Sequence, residues 1–307
     1  MERDGQISAD DAGEARRGTA CPACAGDATS WTGLTTKSRY ALHQCNFCAT
    51  QFYVDPAGQS GDGESHYKWE SYKLDVYSDE KVRKAFEDRY AALLDLARPV
   101  AGSLTSVLDV GCGIGNFVAF AHSSGLRAIG SDVSALAVEE ARRRGLEVVL
   151  SQELDSLVGD GSIDALTLWD VIEHVQDPRV FLKGLVRKVR PGGVLLFETP
   201  DAEFPVRSAL LRAYRATRGK LDLTGPMYYW EHKIYFTEIG LRLLLAGVGV
   251  DIVLVQRQTS VREKMRREFA VKKSLKGRVL RAAWPALETF YRRTGRGNKL
   301  LVIARRR

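Results

Sequence analysis

Four cysteines carry the clearest chemistry in the chain. Cys21-Pro-Ala-Cys24 and Cys45-Asn-Phe-Cys48 are two C-x-x-C knuckles separated by twenty residues. Thiolates at that spacing can close a tetrahedron around zinc. Two disulfides are the rival arrangement, and a reducing compartment argues against them. No fifth ligand stands out, so the expected site is closed and structural. The β-forming residues between the knuckles suit a small ribbon. The remaining cysteine, Cys112, lies in a glycine-rich loop and reads as a small lining residue with no nucleophilic role.

That loop is the second constellation. Asp109 precedes Gly111, Gly113 and Gly115, which fall at alternate positions between an apolar run and a helical pattern. Such a turn leaves the backbone bare, so a ligand can approach it closely beside a helix N-terminus. Asp132 lies seventeen residues past Gly115, at the end of the next strand-like segment. An acid placed there can accept both hydroxyls of a ribose. A third stretch, Trp169 to Pro178 (WDVIEHVQDP), holds Asp170, Glu173 and His174. A fourth, PMYYWEHKIYF, holds Tyr228, Tyr229, Trp230 and His232. Histidine has the right pKa to remove a proton from a hydroxyl near neutrality. The plainer reading is a histidine that only hydrogen-bonds its own loop.

The elements that must position these groups alternate between strand and helix. Val107, Leu108 and Val110 read as a buried parallel strand, with Phe117, Val118 and Phe120 on a helix behind it. Strands follow at Arg127–Asp132, Glu147–Leu150, Ile163–Trp169, Val194–Glu198, Val248–Val255 and Lys299–Arg305. Helices are expected over 79–98 (ended by Pro99), over 134–144 (Ser134 as cap, Gly145 as stop), over 181–189, and over 237–246 with Thr237 as cap. Arg190-Pro191-Gly192-Gly193 should turn into the fifth strand. This alternation predicts an open α/β sheet that binds ligands at the carboxyl ends of its strands.

The glycine loop with Asp109 and Asp132, the EHV-x-DP element and the RPGG turn, all between Leu104 and Pro200, resemble the class I S-adenosylmethionine (SAM) methyltransferases. The EHV-x-DP element resembles that of methyltransferases related to the ubiquinone-pathway O-methyltransferase and of many small-molecule enzymes, and the H-x-x-x-F-T string from His232 to Thr237 resembles the same relatives. The resemblance implies a doubly wound, seven-stranded Rossmann-like sheet whose last strand runs antiparallel beside the fifth. It implies that Asp109, Gly111, Cys112, Gly113, Gly115, Asp132 and Val133 hold SAM. Gln152 and Glu153 would be presented to its adenine, with Trp169 and Asp170 facing the cofactor. His174, or His232, would lie near the transfer site. Tyr228, Tyr229 and Trp230 would either shape an acceptor pocket or only pack a lid.

The 307 residues are 45% hydrophobic and 27% charged, an ordinary soluble composition. No apolar stretch approaches a membrane span, and the polar N-terminus lacks a signal-peptide core, so a cytoplasmic location is expected. The net charge of +7 is uneven, because residues 201–307 hold 24 basic against 9 acidic side chains. The expected organisation is a tail over 1–18, a zinc ribbon over 19–55 and a methyltransferase domain over 79–307. That domain would carry a lid insertion over 201–235 and a basic helical insertion over 257–297. The favoured partner is a small-molecule acceptor, with an anionic membrane surface or a partner protein reached through 257–297. An RNA methyltransferase gripping phosphates with its ribbon and basic third is the alternative. The acidic N-terminal third and the lack of an N-P-P-Y motif weigh against it. A SAM-binding scaffold without catalysis is a third reading.

Overall fold

The computed structural model describes residues 20–27, 29–35, 40–54, 71–225, 227–228, 231–271, 285–286, 289–291 and 293–307. The 1–18 tail, Tyr229, Trp230 and most of the basic insertion's apolar stripe lie outside them. Eleven strands are described: β1 (Thr29–Thr35), β2 (Ala41–Cys45), β3 (Gln51–Val54), β4 (Ser106–Val110), β5 (Arg127–Asp132), β6 (Val148–Leu150), β7 (Ile163–Trp169), β8 (Val189–Pro200), β9 (Ile234–Tyr235), β10 (Val250–Gln258) and β11 (Lys299–Arg306).

Seven of them form one sheet in the order β10-β11-β8-β7-β4-β5-β6. The segments from β4 to β8 pair in parallel, and β11 runs antiparallel to both β8 and β10. Every residue of β4 is buried, as expected of a strand covered by helices on both faces. The sheet therefore has the doubly wound, seven-stranded, Rossmann-like form that the sequence predicts. Its order reverses between β4 and β7, which opens a crevice at their carboxyl ends.

Three of the boundaries that differ from expectation have a clear local reason. The helix Glu80–Ala101, capped by Asp79, runs through Pro99. Pro99 gives up the bond its N–H would have made to the Asp95 carbonyl, yet the helix continues to Ala101, and Gly102, at φ 70°, is what stops it. The helix expected at 181–189 begins three residues earlier, at Pro178, because Asp177 accepts from the Val180 amide and proline suits the first turn. Arg190-Pro191-Gly192-Gly193 does not precede β8 but lies inside it. The register with β7 jumps from Ile163↔Val189 to Ala165↔Val194, so a bulge absorbs the four residues.

The other four strands form an antiparallel sheet in the order β1-β2-β3-β9. β1 to β3 are the cysteine ribbon, and β9 comes from the end of the 201–235 insertion. That insertion is thus part of the ribbon's own sheet. Leu34 and Leu42 of the ribbon share an apolar cluster with Leu211, Tyr228 and Tyr235 of the insertion. Cys21, Ala23, Cys45, Cys48 and Phe52 pack in one cluster with Leu182, Leu241 and Leu244, on helices flanking the large sheet. The ribbon therefore buries apolar surface against the large sheet's layer. No described helix is long and apolar enough to cross a membrane.

Candidate active site

The glycine loop is built where β4 ends. Gly111 and Cys112 donate their amides to the Ser131 carbonyl at 2.7 and 3.0 Å, which lashes the loop to β5. Gly111 adopts φ 73°, and a Cβ there would lie 2.4 Å from a Val171 methyl. Only glycine satisfies both the backbone angle and that approach, which brings the loop against the 170–174 segment. The Asp132 carboxylate accepts from the Gly113 amide at 2.8 Å with one oxygen and from the Ser134 amide at 2.8 Å with the other. The predicted ribose acid thus also clasps the loop from β5.

Several polar atoms around this cradle lack protein partners. Asp109 takes a hydrogen bond from Thr167 Oγ1 at 2.7 Å on one oxygen; its other oxygen, Ser131 Oγ and Trp169 Nε1 are buried with none. Burial pushes the Asp109 carboxyl up to about 8. Val133, next to Asp132, is 61% exposed, an apolar side chain left for something to cover. The cradle therefore suits a ligand with both polar groups and an apolar flat face. Burial also raises the Cys112 thiol, in keeping with a passive lining role.

The second half of the site lies at the carboxyl end of β7. Asp170 adopts φ 55°, a left-handed conformation rare outside glycine and common at functional turns. Its carboxylate takes hydrogen bonds from Lys299 Nζ, the closer oxygens at 2.5 and 2.6 Å, and Lys264 Nζ stands 3.5 Å away. Burial alone would raise the Asp170 carboxyl, but the two ammonium groups outweigh it and hold it well below the carboxylate range. Lys299 also meets Glu198 at 2.8 Å. Glu173 is fully buried and accepts from Thr199 Oγ1 at 3.0 Å; its second oxygen has no hydrogen-bond partner. Burial, then the Asp170 charge, pushes the Glu173 carboxyl up to about 8.

The two histidines meet beside this acid. The His174 and His232 rings lie perpendicular with centroids 4.7 Å apart, and ring nitrogens of both lie within 4.8 Å of a Glu173 oxygen. His174 Nδ1 sits 2.9 Å from the Glu231 carbonyl. A carbonyl only accepts, so Nδ1 carries the proton and Nε2 of the neutral ring keeps its lone pair. Burial, then the neighbouring His174, holds the His232 pKa well below the ordinary value.

A methyltransferase-domain family model matches residues 79–255, more than half of the chain. The chain belongs to that family, the class I SAM methyltransferases. Among curated relatives, the methyltransferase is 34% identical over 119 residues to the ubiquinone biosynthesis O-methyltransferase of Xanthomonas oryzae pv. oryzae, covering 36% of this chain and 47% of that one. The mitochondrial ubiquinone biosynthesis O-methyltransferase of Schizosaccharomyces pombe is 36% identical over 101 residues, covering 30% and 37%. The match spans less than half the length of either relative. A crystal structure of a SAM-dependent methyltransferase from Archaeoglobus fulgidus aligns over 77% of this chain and 100% of that one, at 20% identity and a TM-score of 0.49.

Other anticipated residues of the methyltransferase fall less simply. Glu153 turns back to accept from the Leu150 amide at 3.0 Å and lies 3.5 Å from Arg142, so its carboxylate closes its own short turn, while Gln152 is exposed. Trp169 packs its ring against Tyr90 and Phe117, with centroids 5.0 and 5.3 Å away. Tyr228 is buried and donates to Gln51 Oε1 at 2.9 Å, so it joins the insertion to the ribbon. Lys299, Glu173, Thr199 and Val171 were not assigned site roles from sequence. A lysine directly ahead of the apolar run from Leu300 to Ala304 in β11 is the one signal that could have pointed to Lys299.

The four ribbon cysteines converge as their spacing implies. Their sulfurs lie within 4.8 Å of one another, with Cys21 and Cys48 3.6 Å apart and Cys24 and Cys45 3.5 Å apart. None is disulfide-bonded. Four thiolates about 2.3 Å from a central zinc would stand roughly 3.8 Å from each other, close to what is observed. The two knuckles share one backbone pattern: Ala25 and Ala49 adopt φ 62° and 58° and donate to the Cys21 and Cys45 carbonyls at 2.8 and 3.0 Å. The Phe47 and Cys48 amides point at Cys45 Sγ from 3.4 and 3.5 Å, as donors to a metal thiolate would. The donor set fits zinc.

Proposed function

We propose that the protein transfers a methyl group from SAM to a hydroxyl of a small-molecule acceptor, with a structural zinc in its ribbon. The observation that carries this reading is the closeness of its two halves. Val171 packs into the space above Gly111, so the segment bearing His174 abuts the cofactor loop. When bound, SAM supplies an electrophilic methyl on its sulfonium. Asp132, Gly111, Cys112, Gly113 and Gly115 would hold it, with Asp109, Val133, Trp169 and Asp170 around it and Gln152 at the adenine end. Transfer by in-line displacement needs alignment and a desolvated nucleophile more than covalent help. His174 Nε2 would take the acceptor proton, and His232, kept neutral, is the competing base. Cys21, Cys24, Cys45 and Cys48 would hold the zinc. The names of the relatives support an oxygen acceptor.

The test is a comparison of His174→Ala and His232→Ala on one hydroxyl acceptor. Loss of a general base should lower turnover by about 10²–10⁴-fold. SAM affinity, measured by calorimetry, should stay near that of the parent. Turnover in His174→Ala within about threefold of the parent, against the much larger loss a base demands, would move the role to His232 or away from base catalysis.

A further inference from the structure

We infer that the cysteine knuckles position His232, so that the metal-bound ribbon sets up the acceptor half of the site while the cofactor half stands without it. This rests on the zinc reading above. The chain just after His232 is sewn to the ribbon at consecutive points. The Tyr53 amide donates to the Lys233 carbonyl at 2.9 Å. Ile234 and Tyr235 pair with Phe52 and Gln51 as β9 against β3. Thr237 Oγ1 donates to the Cys48 carbonyl at 2.5 Å while also capping the following helix, Glu238–Ala246. That helix rests on both knuckles: a Cβ on Gly240 would lie 2.1 Å from Thr50 Oγ1 and 3.4 Å from the Ala23 side chain.

The partner histidine is tied to the same base. Arg179, five residues past His174, donates to the Ala23 carbonyl of the first knuckle at 2.9 Å. The second knuckle ends at Cys48, and β3 begins three residues later. Rigid thiolate crosslinks therefore sit one short turn from the strand that aligns His232. The glycine loop and Asp132, by contrast, are fixed by β4 and β5 and share no hydrogen bond with the ribbon among the described residues.

The experiment follows ring nitrogen resonances in full-length protein labelled at its five histidines, assigned by single substitutions. The protein is compared before and after chelation under reducing conditions, with zinc measured in parallel. Metal removal should shift His43 in the ribbon together with His232 and His174, and zinc should restore them. His122, bonded to the Ala128 carbonyl on the cofactor side, should not move. SAM affinity should change by no more than about twofold, as for uncoupled sites. A shift at His43 with His232 unmoved would overturn the inference, and so would simultaneous loss of the His122 signal and SAM binding. Protein that folds without zinc would end the zinc reading alone. The seam is then tested by Gly240→Leu, which must push the helix off Thr50: displaced His232 resonances sustain the link, and unchanged ones refute it.

Discussion

Asp132 would do two jobs with one carboxylate. Its oxygens accept from the Gly113 and Ser134 amides, and under the proposed reading the same group also binds the ribose. Asp132→Ala should therefore weaken SAM binding by about 1.5–3 kcal/mol, the range for hydrogen bonds to a charged group, as read by calorimetry. Glu173 offers a different test because it is buried and pushed up to about 8 from an ordinary value of 4.5. The folded carboxyl holds its proton more tightly than the unfolded chain does. Its cost to stability is thus absent below pH 4.5 and grows as pH rises toward 8. Glu173→Gln cannot ionise, so its melting temperature relative to the parent should climb across that window. A difference that stays flat with pH would show that Glu173 is ionised in the fold.

Among the elements, the ribbon is the one that the proposed zinc would support beyond its apolar burial. Three short strands of seven, five and four residues bury little surface on their own. Purified without chelator, the protein should hold about one zinc per chain by metal analysis. Cys45→Ser should lose that metal and the order of β1 to β3, visible as lost near-ultraviolet dichroism. SAM affinity should persist, because β4 and β5 hold the cofactor loop. The cysteine spacing predicted this ribbon directly. It could not predict that β9, two residues long, would join it, since so short a strand has no periodicity to read.

For the molecule as a whole, four cations of the basic last third, among the described residues, make inward contacts. Arg257 pairs with Asp201 at 2.9 Å, Arg207 lies buried over the Tyr235 ring, and Lys264 and Lys299 converge on Asp170. These cations tie late segments of the chain to earlier strands. Lys299, the first residue of β11, bridges the ends of β7 and β8 through Asp170 and Glu198. Lys299→Met would leave Asp170 only Lys264 at 3.5 Å and Glu198 only Arg89 at 3.4 Å as countercharges, and should cost less in denaturant unfolding than the about 3–5 kcal/mol of a fully uncompensated buried charge.

By itself the sequence determined the sheet, the glycine loop, the acid at the end of β5 and the cysteine quartet. Each is written in local signals: apolar runs, glycines where the backbone must turn through positive φ, and ligand spacing along one stretch of chain. It also marked both histidines as chemically suited to the site. Only the tertiary structure decided that His174 and His232 meet edge to face, that Glu173 stays buried beside them, and that Lys299 neutralises Asp170. Those pairs are 58, 59 and 129 residues apart or meet across crossing elements, as His174 and His232, Glu173 and His232, and Asp170 and Lys299 do. Contacts at such separations depend on how sheets and helices pack, which no local pattern records. The same holds for Tyr228, whose aromatic character suited an acceptor pocket until packing placed it between insertion and ribbon.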